Sequence, residues 1–293
     1  MAREAPAWTL LMNLQRLPAN LYGRDFVVGD LHGERAWLLR ELDALQFDTG
    51  RDRLFSVGDL IDRGSNSLGC LQLLDEPWFH AVLGNHEAMM IAARHSDNAR
   101  FDWLRHGGEW AALLGSRMRD QWVDRLERLP HVLVVGEGPA RFHLVHAELT
   151  DPVGLPVTDS DLDNRLRTDR WTPERLLWST AMASRFARTQ QGNLPSAPVR
   201  HGLSATFCGH VPVTEPGWYH SHYFLDGGAG YDRPLANGSA PRLHVRAVAP
   251  LVQQYQLALV RTPAPQCAPP VQQAASQADS GDRARPGTPP VRG

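Results

Sequence analysis

Three short clusters between Val27 and Glu87 constrain what this chain can fold into. They read Gly29-Asp30-Leu31-His32-Gly33, Gly58-Asp59-Leu60-Ile61-Asp62-Arg63-Gly64 and Gly84-Asn85-His86-Glu87. Each follows a short, mostly apolar run: Asp25-Phe26-Val27-Val28, Leu54-Phe55-Ser56-Val57 and Ala81-Val82-Leu83. Runs of this length closed by glycine read as buried strands. Each cluster therefore sits where a strand gives way to a loop, the edge at which parallel α/β sheets bind ligands. Three strand ends in one sheet bring Asp, His, Asp, Asn and His within reach of one another. Such oxygen and imidazole donors suit Mn, Fe or Zn rather than Cu(I). The expectation is a two-metal phosphoesterase.

The surrounding pattern supports an α/β fold. Trp37, Leu38, Leu42 and Leu45 recur at helical spacing within Glu34–Phe47. Ser65 is the expected N-cap of a helix carrying Leu68, Leu71, Leu73 and Leu74, and Glu87–Arg94 reads as helical. This β-α-β-α-β-α alternation predicts a layered α/β arrangement. From Asn98 to Leu129 the pattern is helical and rich in aromatics, interrupted at His106-Gly107-Gly108. It predicts a small helical cap at about 98–129, its tryptophans packed in the core.

After Pro130 the character turns to β. Strands are expected at His131–Val135, Arg141–Val145, Ala205–Cys208, Tyr223–Leu225, Leu243–Val248 and Gln256–Val260, with a helix over Trp171–Ala187. Pro173 falls at the first helical position of the latter. The later strands predict a second sheet packed face to face on the first. The fold expected is a four-layer α/β/β/α sandwich of two mixed sheets flanked by helices.

Residues 1–24 read as a lead-in with a short helix ending near Pro18, residues 25–261 as the main domain and residues 262–293 as a disordered tail. That tail is rich in Pro, Ala, Gln, Gly and Ser and lacks the apolar mass to offset its ordering entropy. Among 293 residues, 42% are hydrophobic and 21% charged, as in an ordinary globular protein. A net charge of −2 gives no global attraction to nucleic acid or anionic membrane. Cys70, Cys208 and Cys267 are far apart and form no CxxC pair. They point away from a disulfide framework and toward a reducing compartment. With Glu4 at the start and Asn13, Gln15 and Arg16 breaking the following apolar run, no signal peptide is expected. A cytoplasmic setting is.

Two more histidines end strand-like runs: His146 after Arg141–Val145 and His210 after Ala205–Gly209. The ordered set Gly-Asp-x-His-Gly, Gly-Asp-x-x-Asp-Arg-Gly, Gly-Asn-His-Glu, His-Ala and Gly-His-x-Pro resembles the signature of the PPP-type metallophosphatases. It is most similar to the bacterial and phage-lambda-like branch of serine/threonine protein phosphatases. His106-Gly107-Gly108-Glu109-Trp110 and Leu176-Leu177-Trp178 resemble that branch too. The likeness runs from about residue 25 to 260.

The resemblance implies a role for each matched position. Asp30 and His32 would bind the first metal, Asp59 would bridge, and Asn85, His146 and His210 would complete the second site. Hydrolysis would proceed by in-line attack of a hydroxide shared by the two ions, with Mn2+ favoured and Fe or Zn possible. His86 would protonate the leaving alkoxide, Asp62 would orient it, and Arg63 would grip the phosphate. Substrates would be phosphoserine and phosphothreonine proteins, phosphotyrosine as well, and small phosphoesters. Pro212 stands where many members of the wider calcineurin-like superfamily carry a further histidine ligand. Asp62-Arg63 stands where the similar symmetrical diadenosine tetraphosphatases carry Ala-Arg; a polyphosphate or nucleotide hydrolase is the alternative reading. In one departure, Thr180 occupies the position of a second phosphate-gripping arginine. Arg185 is the expected substitute, with Arg165, Arg167, Arg170 and Arg175 also near.

Overall fold

Side chains of β2 (Asp25–Val28) alternate between two cores. Val27 faces one, while Phe26 and Val28 face the other. Such alternation, with both faces apolar, is what a strand covered on both sides requires. The computed structural model of the chain describes residues 13–262, apart from 152, 153, 155, 165–171, 196, 236 and 237.

β2 pairs in parallel with β3 (Arg53–Ser56), and β3 with β4 (Phe79–Ala81). β10 (Val245–Ala247) closes the other side of β2 in antiparallel register, giving the order β10-β2-β3-β4. Between these strands come α1 (Arg35–Ala44) and α2 (Ser67–Gln72), and α3 (Asn85–His95) follows β4. The second sheet has the order β1-β5-β6-β7-β9-β8. Its strands are β1 (Leu14–Leu17), β5 (Val132–Val135), β6 (Phe142–Val145), β7 (Ala205–Cys208), β8 (Gly217–Tyr219) and β9 (His222–Phe224). β6, β7 and β9 run parallel; β5 and β8 are antiparallel to their neighbours β6 and β9. Both sheets are mixed, as expected.

Three apolar layers hold the sandwich. Val27 and Phe55 of the first sheet, with Val82 just after β4, meet Leu133, Leu144 and Phe207 of the second in a middle core. An outer core joins Leu54 and Val28 to Leu38, Leu71 and Ile91 of the helices. On the far side, Val134 and Phe224 meet Leu176 of α7 (Pro173–Trp178) and Phe186 of α8 (Ala181–Gln190). Phe207 is fully buried, and truncating such a ring to Ala costs about 3–5 kcal/mol.

Several elements differ from expectation. Leu14–Leu17 is a strand, not a helix: the Leu14/Leu17 spacing imitates one helical turn, but the segment pairs in parallel with β5. Gln256–Val260 is not a strand; it lies within α9 (Val248–Arg261), whose Val248, Val252 and Tyr255 are buried at helical spacing. Trp171–Ala187 is divided: Ser179 is extended, so α7 ends before α8 begins. Asn66, not Ser65, caps α2, accepting the Gly69 amide at 2.8 Å. The cap region holds α4 (Asp97–Leu104), a 3-10 helix at Gly108–Leu113 and α5 (Ser116–Leu126). Between β6 and α7, Asp159–Asp163 forms the short helix α6. The expected tail beyond Thr262 lies outside the described residues. No described helix is long and apolar enough to cross a membrane.

Candidate active site

The loops after β2, β3 and β4 are laced together by backbone. The Leu31 and His32 amides donate to the Asp59 carbonyl at 3.0 and 2.8 Å, and Gly33 donates to Leu60 at 2.9 Å. Close approach makes glycine necessary at Gly84: a Cβ there would lie 2.2 Å from the Asp59 nitrogen. The chain also turns sharply. His32, Asp59, Asp62, Arg63 and His210 all have positive φ, between 40° and 73°. Non-glycine residues are held there only where the surroundings insist, and such strain gathers at functional sites.

Six expected ligand residues converge. His146 Nδ1–H donates to the Val57 carbonyl at 2.8 Å, which leaves Nε2 as a bare lone pair. That atom lies 2.7 Å from Asn85 Oδ1 and 3.5 Å from Asp59 Oδ1. His210 Nδ1 sits 3.0 Å from the same Asn85 oxygen. His32 Nδ1–H donates to the Ile61 carbonyl at 2.8 Å, turning its Nε2 toward Asp59 Oδ2 at 3.6 Å. Asp30 accepts the His210 amide at 3.1 Å. Donor atoms of His32, Asp59 and His86 fall within 4.8 Å of one another, as do those of Asp30, Asp59 and His146. Asp59 belongs to both groups; Asp30 and His32 do not share one.

Electrostatics favour a cation here. Burial, with Asp226 and Asp59 close by, pushes the Asp30 carboxyl well above its ordinary range. Burial likewise pushes Asp226 up to about 7. Burial opposes ionisation of Asp59 as well, and positive charge beside it, as imidazolium on His146, His86 and His32, is what lowers its pKa below the ordinary carboxylate range. Burial holds His146 and His32 below the usual imidazole value, which keeps their lone pairs available. The His146 Nε2 lone pair faces Asn85 Oδ1 and Asp59 Oδ1 with no donor among the three atoms, on a ring anchored through its other nitrogen, an arrangement that fits a divalent ion.

His86 stands beside this cluster. Its Nδ1 donates to Asp62 Oδ2 at 2.7 Å, leaving Nε2 2.9 Å from Arg63 Nη2. Arg63 Nη1 lies 2.5 Å from His32 Nε2. The guanidinium also rests on the Tyr231 ring, 4.8 Å from its centroid.

The profile described as calcineurin-like phosphoesterase matches residues 26–232. The chain belongs to that family. Among its relatives, serine/threonine-protein phosphatase 2 of Salmonella typhimurium is 32% identical, the match covering 75% of this chain and 94% of that protein. Serine/threonine-protein phosphatase 1 of the same organism is 33% identical over the same shares. A symmetrical bis(5'-nucleosyl)-tetraphosphatase of Chromohalobacter salexigens is 34% identical over 42% of this chain and 44% of its own length.

As a calcineurin-like phosphoesterase, the chain carries site residues to which the motifs assigned no role. Glu87 accepts four backbone amides, from Asp59, Leu60, Ile61 and Gly84. Asp226, beside Asp30, follows β9 and precedes Gly227-Gly228, the same strand-end pattern that marked Asp30 and Asp59. Trp103 and Trp110, expected only to pack, both donate their indole N–H to Asp62. Arg185 lies in α8, and its charge acts on His220 in the β8–β9 turn. Arg165, Arg167 and Arg170 lie outside the described residues.

Proposed function

We propose that the chain is a metal-dependent phosphomonoesterase acting as a protein serine/threonine phosphatase. The observation that carries this reading is the Asp62–His86 pair, held at 2.7 Å at the rim of the Asp59 cluster. An anchored imidazole facing a phosphate site suits expulsion of an alkoxide, which needs a proton. The named activities of the Salmonella relatives support it.

In this reading Asp30, His32, Asp59, Asn85, His146 and His210 hold two divalent ions. Bound ions supply Lewis acidity and lower the pKa of a coordinated water. Mn2+ is the ion we favour, and Fe or Zn suits the same donors. Arg63 grips the phosphoryl oxygens through its planar fork. His86 delivers the proton from Nε2, and Asp62 keeps the opposite nitrogen protonated. Phosphorylated proteins and small phosphoesters are the substrates, phosphotyrosine included. The buried thiols of Cys70 and Cys208, neither in a disulfide, suit a cytoplasmic setting.

Metal analysis of the purified protein should find about two divalent ions per chain. Chelation should abolish hydrolysis of a phosphoserine peptide, and Mn2+ should restore it. Activity that survives full metal removal refutes the reading. The tetraphosphatase relatives support a second reading, hydrolysis of dinucleoside polyphosphates. A higher kcat/KM on diadenosine tetraphosphate than on the phosphopeptide would establish that alternative.

A further inference from the structure

Three donors converge on the Asp62 carboxylate, and two come from the cap region rather than from the strand-end motifs. Oδ2 accepts from His86 Nδ1 at 2.7 Å and from Trp103 Nε1 at 2.8 Å. Oδ1 accepts from Trp110 Nε1 at 2.7 Å. The Asp62 amide donates to Ser67 Oγ at 2.9 Å. Asp62 is fully buried and Trp103 nearly so. The two indoles stand edge to face, 6.4 Å apart at 88°, so they reach the carboxylate from different directions.

The glycine pair between them fits the same contact. Gly107 has φ 105°, and a Cβ there would lie 2.7 Å from the Arg63 nitrogen. A Cβ on Gly108 would lie 2.6 Å from the Trp103 ring. The interruption at His106-Gly107-Gly108 is therefore the place where the α4 region closes onto Asp62 and Arg63 without a side chain in the way.

We propose that Trp103 and Trp110 are positioning residues for the proton donor, clamping both oxygens of Asp62 so that the second lone pair of Oδ2 is aimed at His86. The inference rests on the phosphomonoesterase reading for its catalytic consequence, though the clamp is a property of the fold. Buried indoles ordinarily find some acceptor. Here both choose one carboxylate, and hydrogen bonds to a charged acceptor are about twice as strong as neutral ones. With one indole gone, the carboxylate can swing about its Cβ–Cγ bond, and the imidazole swings with it. The loss falls on proton delivery, not on phosphate binding.

Leaving-group chemistry separates this role from plain packing. Serine alkoxide needs a proton to depart; 2,4-dinitrophenolate does not. Trp110→Phe and Trp103→Phe keep the ring and remove the N–H. Each should lower kcat on a phosphoserine peptide about 10-fold, leave KM within about twofold, and lower kcat on 2,4-dinitrophenyl phosphate less than about threefold. In an Asp62→Asn background, Trp110→Phe should change kcat less than about twofold further. Trp110 is half-buried, so its variant decides the matter if Trp103→Phe folds poorly.

A second arm needs no activity. In the 15N–1H spectrum of the protein with Mg2+, the Trp103 and Trp110 indole protons should be shifted downfield and exchange slowly. Asp62→Asn, which offers one acceptor atom and two competing N–H bonds, should shift both and speed their exchange. Equal losses on the two esters, or losses that add to that of Asp62→Asn, overturn the positioning role. Indole signals indifferent to Asp62→Asn overturn the clamp itself. Were the wild type to hydrolyse no phosphomonoester, the functional reading would fail on its own while the indole signals still decided the clamp.

Discussion

Glu87 and Asp59 are joined through the backbone rather than through their charges: Glu87 Oε2 accepts the Asp59 amide at 2.9 Å, while Oε1 accepts Leu60 at 2.8 Å. Oε2 also accepts the Gly84 amide at 2.9 Å. One buried carboxylate thus fixes the loop after β3 to the start of α3. Glu87→Gln presents an NH2 group to amides that need an acceptor. We expect a stability loss of about 2–4 kcal/mol and at least a 10-fold fall in kcat, roughly, as Asp59 shifts. Denaturant unfolding and a phosphopeptide assay check both.

His146 contributes Nε2 where Asn85 Oδ1 and Asp59 Oδ1 meet. Removing it with His146→Ala leaves those two oxygens without their partner. The expected result is a fall from about two bound divalent ions per chain to about one, with activity down at least about 100-fold. Elemental analysis of the dialysed variant gives the stoichiometry.

Arg63 faces His32 and His86 with separate guanidinium nitrogens. That fork is a planar device, and an ammonium does not reproduce it. Arg63→Lys should therefore raise KM for a phosphopeptide by about 10-fold, close to the effect of Arg63→Ala. A lysine variant with wild-type KM would remove Arg63 from the phosphate site.

Away from the site, Asp52 offers a pH-dependent stability. Burial raises its pKa, but the Arg24 side chain and amide and the Asp48 amide outweigh that and bring it down to about 2. In the unfolded chain an aspartate titrates near 3.9. Below that value the unfolded chain binds a proton that folded Asp52 refuses, so its stabilising effect is complete above about pH 4 and fades as pH falls through about 2. Asp52→Asn should lower Tm by roughly 3–6 °C at pH 7. The gap to wild type should stay level down to about pH 5 and narrow by pH 3. Scanning calorimetry across that range tests the sign.

What could be read in the sequence was local. A strand end, its glycine and the following Asp, His or Asn lie within a few residues of each other, so Asp30, Asp59, Asn85, His146 and His210 announced themselves. Asp226 obeys the same rule, closing a strand-like run ahead of Gly227-Gly228. Trp103 and Trp110 gave no such sign. A tryptophan at helical spacing looks the same whether its N–H meets a carboxylate or a neighbour in the core, and Asp62 lies 41 and 48 positions away. Short windows also misled. Leu257, Leu259 and Val260 imitate a strand, and only the longer run of Val248, Val252 and Tyr255 shows the helix.

The positive φ angles carry a consequence for how this chain can change. At Arg63 the backbone sits at φ 67°, a conformation that glycine adopts freely and arginine only under compulsion. Under the phosphate-gripping role proposed for Arg63, what the chemistry wants there and what the chain wants there are opposed. A lineage released from phosphate hydrolysis would drift toward glycine at Arg63, shedding strain as it shed activity. The better-folding descendant would then be the silent one.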